Sequence, residues 1–196
     1  MDETIKSLKY FCLPREDYHL GSIKMHPVQL DEIEKIRNWR NAQIDVLRQL
    51  REITPQEQVE YFDSFVFPEY NKKFPNQVLL TIWKENEIIG YGGLVHINWE
   101  MQLAEISFLL DPSTANIRDL YSEVFGCFLK IIFEIAFEDL YLRKIYTETF
   151  LNREFHIQEL ERAGMQKVPK EEDFFFLDSN PQESIFHVKE RKDTLS

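Results

Sequence analysis

The sequence has few cysteines and no long apolar run. Its 196 residues include only two cysteines, Cys12 and Cys127, whose spacing fits neither a CxxC redox or zinc motif nor a disulfide framework. No segment approaches the roughly 20 consecutive apolar residues of a membrane-spanning helix, and the N-terminal MDETIKSLKY lacks the apolar core of a signal peptide. We therefore expect a cytoplasmic protein with no metal site and no membrane partner.

Positive charge is also scarce. The 23 Lys and Arg residues are outnumbered by 34 Asp and Glu, giving a formal net charge of −11, and the basic residues are scattered along the chain. Because such a surface repels a phosphate backbone, we expect no nucleic-acid partner. Apolar residues make up 43% of the chain and aromatic residues 14%, which is enough for the core of one domain.

The apolar pattern of the first half predicts two helices followed by a strand meander. Residues 19–28 read as a strand and residues 30–39 as a helix. Thr54-Pro55-Gln56-Glu57 forms a capping box that predicts the start of a second helix, with Val59, Phe62 and Phe65 following at three-residue spacing. Residues 77–83 and 87–98 predict an antiparallel hairpin, and residues 103–110 a third strand.

The second half predicts a crossover unit. Apolar residues recur with a period of 3.6 over residues 117–136, a strand is predicted at 142–150, and a helix at 152–163 is closed by Gly164. This order implies a right-handed crossover and a parallel strand pair inside a mixed sheet. Residues 173–177 and 184–188 predict a closing hairpin. Residues 1–17 and 189–196 are predicted to be an extension and a solvated tail of one domain spanning 1–196.

Six segments, in this order, resemble the GNAT family of acyl-CoA N-acyltransferases, within the branch of ribosomal-protein and amino-sugar N-acetyltransferases. They are IRNWRN from Ile36, LRQ from Leu47, ITPQEQ from Ile53, IIGYGGL from Ile88, AEISFLL from Ala104 and LERAGM from Leu160. The resemblance covers about two thirds of the chain, residues 36–168. It implies an α/β (α+β) GNAT fold, a central mixed twisted sheet of about six to seven strands flanked by about four helices.

The resemblance also implies a function. Similar proteins bind acetyl-CoA in a V-shaped gap between two splayed parallel strands, and an amine enters from the opposite side. We therefore expect an acetyl-CoA-dependent N-acetyltransferase of a small primary amine, with an amino sugar favoured, by direct transfer and without a cysteine nucleophile. A protein N-terminal amine as acceptor and a non-catalytic GNAT-like domain are the alternatives. Dimers are common among similar proteins, so a homodimer is one possible assembly of this chain.

Four residues are candidates for the acid–base chemistry. A base must take a proton from the attacking amine. Glu105 matches the position of a carboxylate that many relatives use as this base, and it is the first candidate. His96, at the end of the neighbouring strand, is the second candidate for the base. Many relatives place a tyrosine that protonates the leaving thiolate where this chain has Leu160. His156 lies four residues earlier on the same helix face and is the predicted substitute, with Tyr146 as a weaker candidate.

The cofactor contacts follow from the resemblance. The main chain of the third strand is expected to bind the pantetheine arm and to stabilise the oxyanion, at Ile106, Phe108, Leu109 and Leu110. Relatives follow this strand with a loop Q/R-x-x-G-x-G/A that cradles pyrophosphate. The corresponding residues 111–118, DPSTANIR, contain no glycine, and Asp111 opposes the negative charge. The donors are then expected from Ser113, Thr114, Asn116 and Arg118.

The acceptor side is expected near the turn between the first two helices. Planar hydrogen-bonding groups are dense there and suit a carboxylate, a phosphate or sugar hydroxyls, at Arg40, Asn41, Arg48 and Gln49. Tyr91 and Trp99 are candidates for an aromatic floor under a sugar or a peptide.

Overall fold

A computed structural model describes residues 9–44, 47, 49–168 and 184–192 and places helices against an eight-stranded sheet. The strands are β1 (Tyr18–Leu20), β2 (Ile23–Pro27), β3 (Val78–Lys84), β4 (Glu87–Asn98), β5 (Leu103–Leu110), β6 (Lys144–Phe150), β7 (Gln166–Val168) and β8 (Ser184–Glu190). The helices are α1 (Ile33–Asn41), α2 (Pro55–Tyr61), the single turn α3 (Pro112–Ala115), α4 (Arg118–Glu134) and α5 (Glu154–Arg162).

The sheet opens between its two parallel strands. Its order is β1-β2-β3-β4-β5-β6-β8-β7, and among the strand pairs of the described residues only β5 and β6 run parallel. They pair at Leu103–Lys144, Ala104–Ile145 and Glu105–Tyr146 and then part, whereas β6 pairs with β8 along its whole length. The predicted mixed sheet is confirmed, with slightly more strands than expected.

Helix α4 covers the sheet beside this opening, as its period predicted. Its buried side chains form one stripe, which includes Val124, Phe125, Phe128, Leu129 and Ile132. The helix continues into a π-helical turn, Ile135–Asp139. Burial of such a stripe is the main source of a helix's stability in a protein, because helix propensity alone contributes little.

Helix α2 starts at the predicted capping box but buries a different face. The Thr54 hydroxyl accepts from the Glu57 amide at 3.2 Å, and the Glu57 carboxylate accepts from the Thr54 amide at 2.9 Å. Val59 and Phe65 are exposed, contrary to a simple three-residue spacing. The π-helical segment Phe62–Val66 changes the rotation per residue, so that the buried positions are Gln58, Phe62 and Val66.

Three predicted boundaries change. The first predicted strand is a hairpin, β1 and β2, around Gly21 at φ 60°. Strand β8 runs two residues into the predicted tail, because Lys189 and Glu190 pair with β6. Tyr10 in the predicted extension is buried, and its hydroxyl accepts from the Leu79 amide at 2.8 Å. The predicted strand at 173–177 lies outside the described residues.

Candidate active site

A cavity of about 300 Å³ fills the opening between β5 and β6, and we call it the strand-gap cavity. Strand β5 contributes residues 105–108 to its wall, and β6 contributes Thr147, Glu148 and Phe150. Helix α5 and the residue before it close one side with Arg153, His156 and Leu160. The cavity therefore lies where the hydrogen-bond ladder between the two parallel strands stops.

The main chain of β5 faces this opening at alternate residues. The carbonyl oxygens of Ser107 and Leu109 lie against β4, where a Cβ atom on Gly92 or Gly90 would come within 2.3 or 2.6 Å of them. Because successive peptide groups point to opposite edges of a strand, the peptide groups of the intervening residues face the opening, at Ile106, Phe108 and Leu110. The Leu110 carbonyl accepts a hydrogen bond from Gln43 at 2.7 Å. Ile106 and Phe108 line the strand-gap cavity, while Leu109 and Leu110 are buried core residues outside its wall.

Glu105 and His96 meet at the mouth of the opening. Glu105 is the last residue of β5 that pairs with β6, and its side chain is largely buried. His96 sits in a bulge of β4 at φ 51° and is 63% exposed. Its Nε2 atom lies 3.8 Å from Glu105 Oε2. The structure thus brings together the two residues predicted as base candidates, one buried and one facing solvent.

His156 lies on the other wall, bonded to a tyrosine that the sequence analysis did not select. The Tyr121 hydroxyl and His156 Nδ1 share a hydrogen bond of 2.5 Å. In the tautomer in which the hydroxyl donates, the Nε2–H of His156 remains a donor. Burial raises the pKa of Tyr121 to about 12, so the hydroxyl keeps its proton. Burial, and secondarily the nearby Arg153 and His187, lower the pKa of His156 well below its ordinary value. His156 is therefore neutral near pH 7, and it can offer an N–H group rather than the charged imidazolium.

This neutral histidine predicts a pH dependence of stability. As the pH falls below about 6.5, the unfolded chain protonates this imidazole while the folded chain does not, so stability decreases by up to about 1.4 kcal/mol per pH unit. We expect His156→Gln to lose less stability than wild type between pH 7 and pH 5 in urea unfolding. The exposed His19 on β1 gives the control, since His19→Gln should retain the wild-type loss. Equal losses in the His156 variant and wild type would contradict this assignment.

The glycine-free segment after β5 folds onto itself. The Asp111 carboxylate accepts from the Ser113 amide at 2.7 Å and from the Ser113 hydroxyl at 2.5 Å. The amides of Ala115 and Asn116 donate to carbonyls within the same turn, and Thr114 is buried. Much of the donor capacity predicted for this loop is thus used internally, and Ser113, Thr114 and Asn116 do not line the strand-gap cavity.

Two arginines stand near the start of α4 instead. Arg118 is its first residue, and its guanidinium lies 5.1 Å from the centre of the Phe155 ring. Arg153 lines the strand-gap cavity and acts electrostatically on Tyr121 in the first turn of α4. The first amides of a helix and nearby guanidinium groups both attract phosphate. Of these two arginines, Arg118 was predicted from the sequence and Arg153 was not.

A second cavity of about 380 Å³ adjoins the first, and we call it the helix-side cavity. Its wall includes Tyr61 and Phe65 from the α2 region, Tyr91 from β4, and Glu69 with Gln77 before β3. Four residues line both cavities, which places the junction at Arg40, Val95, His96 and Ser107. A molecule in either cavity therefore reaches the same short stretch of β4 and β5.

The predicted acceptor residues divide into lining and supporting groups. Arg40 and Tyr91 line the helix-side cavity and are bonded to each other, with 2.9 Å between Arg40 Nη1 and the Tyr91 hydroxyl. Gln49 bonds both Arg40 and Asn41, and Asn41 holds the main chain of Ile53. Asn41 and Gln49 do not line either cavity and are supporting residues.

Two other predicted residues lie elsewhere. Trp99 donates to the Pro75 carbonyl at 2.8 Å and packs on Phe74, outside both cavity walls. Tyr146 packs with a separate apolar group and also lines neither cavity. Arg48 lies outside the described residues. The positions of Trp99 and Tyr146 depend on the directions of their side chains, and the sequence carries no signal for those directions.

Within the described ranges, no group of three His, Cys, Asp or Glu side chains is placed to hold a metal ion. In the same part of the chain, none of the helices combines the length and apolar character needed to cross a bilayer.

The sequence matches one family model over most of its length. Residues 26–191 match the model described as acetyltransferase (GNAT) domain. No curated protein gives a sequence match.

Solved structures give the same fold. A spermidine N-acetyltransferase from Vibrio cholerae in complex with CoA and spermine is similar at a TM-score of 0.71 and 14% identity, over 87% of this chain and 96% of that one. The dodecameric structure of spermidine N-acetyltransferase from Vibrio cholerae in an intermediate state is similar at 0.65 and 16%, over 89% and 96%. At these identities the likeness concerns the fold.

Proposed function

The chain belongs to the GNAT family of N-acetyltransferases, and from this premise we propose that it transfers the acetyl group of acetyl-CoA directly to the primary amine of a small acceptor. The observation that carries the proposal is the parting of β5 and β6 after three paired residues, with a cavity in the opening. The similar structure that contains CoA and spermine supports a CoA thioester and a small amine as the two substrates.

The residues of the opening fit a pantetheine arm. An amide-rich chain needs main-chain donors and acceptors, and the peptide groups of Ile106 and Phe108 face the opening beyond the last ladder pair. The fit is weaker at the pyrophosphate, because Asp111 occupies the amide and hydroxyl of Ser113. We propose that Arg118, Arg153 and the first amides of α4 bind the phosphates in place of a glycine-rich loop.

Acetyl-CoA supplies an activated acyl group, and the chain supplies the proton transfers around it. Glu105 accepts the proton of the attacking amine, and His96 at 3.8 Å connects the carboxylate to solvent. The main-chain N–H groups of β5 stabilise the oxyanion. The Nε2–H of His156 hydrogen-bonds the departing thiolate, while Tyr121 fixes the imidazole.

The acceptor is the finer part of the proposal. We propose an amino sugar, with a protein N-terminal amine as the second choice. The helix-side cavity supports a small acceptor with planar or cyclic parts, because aromatic side chains line it at Tyr61, Phe65 and Tyr91. The rival, a non-catalytic domain, is favoured by one observation: Asp111 stands in the loop where relatives bind pyrophosphate.

Calorimetric titration with acetyl-CoA separates these functions. We expect saturable binding and, with a suitable amine, release of one thiol per acetyl group transferred. A Thr147→Trp variant should lose binding because the indole fills the strand-gap cavity, whereas His19→Trp on the exposed face of β1 should bind as wild type. Absence of binding at millimolar acetyl-CoA in a folded protein would remove the enzyme hypothesis and leave the non-catalytic one.

A further inference from the structure

Arg40 stands at the junction of both cavities, and among the described residues its guanidinium has two hydrogen-bond acceptors. It is on the last turn of α1 and lines the strand-gap and helix-side cavities. Its Nε atom donates to Gln49 at 3.2 Å and its Nη1 atom to the Tyr91 hydroxyl at 2.9 Å. A guanidinium group carries five N–H donors, and for the remaining ones the described part of the chain supplies no acceptor, so they can bind a molecule in the cavities.

Both described partners of Arg40 are neutral. Among the described residues, no carboxylate oxygen forms an ion pair within 4.0 Å of its guanidinium. The carboxylate in the wall of the helix-side cavity, Glu69, is bound by the Lys72 ammonium and the Asn76 amide, both at 2.7 Å. A half-buried cation without an acidic partner is unfavourable on its own.

The guanidinium is held in a fixed position. Tyr91 is buried on the central strand β4. Gln49 is itself bonded to Asn41, which anchors the main chain of Ile53 through two further hydrogen bonds. Such anchoring reduces the entropy that a binding group loses, and it orients the planar fork toward a bidentate partner.

From this arrangement we propose that the acceptor carries a carboxylate or phosphate group that binds Arg40. This inference rests on the proposed acetyl transfer and names the acceptor class. The amine end lies toward Glu105 in the strand-gap cavity, and the anionic end pairs with Arg40 at the junction. An amino acid and a phosphorylated or nucleotide-linked amino sugar have this chemistry. A polyamine lacks it, because it would bring more positive charge beside the Arg40 guanidinium.

Matched acceptor pairs test the proposal. The pairs are glutamate with glutamine amide, and glucosamine 6-phosphate with glucosamine, while spermidine represents the polyamines. For each, kcat/KM is measured by thiol release in wild type, Arg40→Gln and the control Arg51→Gln. Arg51 carries the same charge on the surface, paired with Glu57 and outside both cavities. The pair that shows the preference identifies the source of the anion.

We expect the anionic member of at least one pair to be preferred by about 10- to 100-fold, the size of a charge-assisted hydrogen bond. Arg40→Gln should abolish the preference, Arg40→Lys should retain part of it, and Arg51→Gln should keep it. Equal or better turnover of the neutral members or of spermidine by wild type would overturn the proposal. A preference that persists in folded Arg40→Gln would also overturn it.

The failure of acetyl transfer is distinguishable from the failure of this subsite. If no amine releases thiol, the melting temperature with each acceptor becomes the readout. The anionic members should then stabilise wild type more than Arg40→Gln, which would preserve the anion site while removing the proposed function. Identical stabilisation of both proteins would overturn the anion site.

Discussion

Glu105→Gln is expected to lower kcat by about 10²- to 10⁴-fold, the usual contribution of a general base, and to leave acetyl-CoA affinity near the wild-type value. An amide cannot accept a proton from the attacking amine at neutral pH. The substitution keeps the size of the side chain and the strand pairs of β5 with Val95 and Tyr146. Binding of acetyl-CoA depends on main-chain groups farther along β5, so it should be largely unaffected.

The position of Glu105 explains why one residue has so large an expected effect. It is the last paired residue before β5 and β6 part, so it lines the strand-gap cavity where the opening begins. His96 beside it is exposed because the bulge in β4 turns that residue outward at φ 51°. A proton taken by a largely buried carboxylate thus has a route to solvent. His96→Gln should therefore reduce kcat less than Glu105→Gln does.

The pH profile separates a base from a structural carboxylate. Without a base, only amine that is already deprotonated reacts, so the rate of Glu105→Gln should rise with pH toward the amine's own pKa and partly recover. Glu148→Gln is the matched control, because Glu148 lies in the wall of the same cavity and accepts from Ser184 at 2.5 Å. The Glu148→Gln substitution removes the same charge and should lower kcat much less than Glu105→Gln does. An unchanged rate in Glu105→Gln would rule out its role as base.

The order of the elements was predictable because each depends on local pattern. The 3.6 period over α4 and the capping box at Thr54 are properties of short segments, and Gly164 ends α5 at φ 79° as its position suggested. The alternation in β5 likewise predicted a strand. These signals require no knowledge of what packs against them.

The candidate site was predictable only in part, because it depends on contacts across the fold. The bond between Tyr121 and His156 joins residues 35 positions apart, and the sequence marks Tyr121 only as one more apolar position of a helix. The burial that lowers the pKa of His156 is invisible for the same reason. Conversely, Trp99 and Tyr146 were selected by residue type, and their contacts lie outside both cavities. Arg40 illustrates the gain from coordinates, since its neutral partners were not deducible from the motif IRNWRN.

Gly93→Ala is expected to destabilise the protein by more than about 4 kcal/mol, enough to unfold many domains of this size. A Cβ atom at this position would lie 1.9 Å from the Val78 carbonyl oxygen and 3.2 Å from Leu79 Cα. Both are main-chain atoms of β3, a strand inside the sheet, so no side-chain rotation relieves the overlap. The strands would have to separate beside the residues at which the two cavities meet, since Gly93 pairs with Ser107.

Gly126→Ala makes the same chemical change as Gly93→Ala, but we expect it to stabilise the protein. Gly126 lies inside α4, and a Cβ atom there would meet nothing within 4 Å. Alanine should stabilise the helix by about 0.5–1 kcal/mol. Urea unfolding of both variants measures the difference. At Gly93 the φ of 155° adds to the overlap, because L side chains rarely adopt that backbone conformation. A loss under about 1 kcal/mol at position 93 would mean that β3 and β4 are not packed this closely. The register that places Val95, His96 and Ser107 at the junction of the two cavities would then have to be revised.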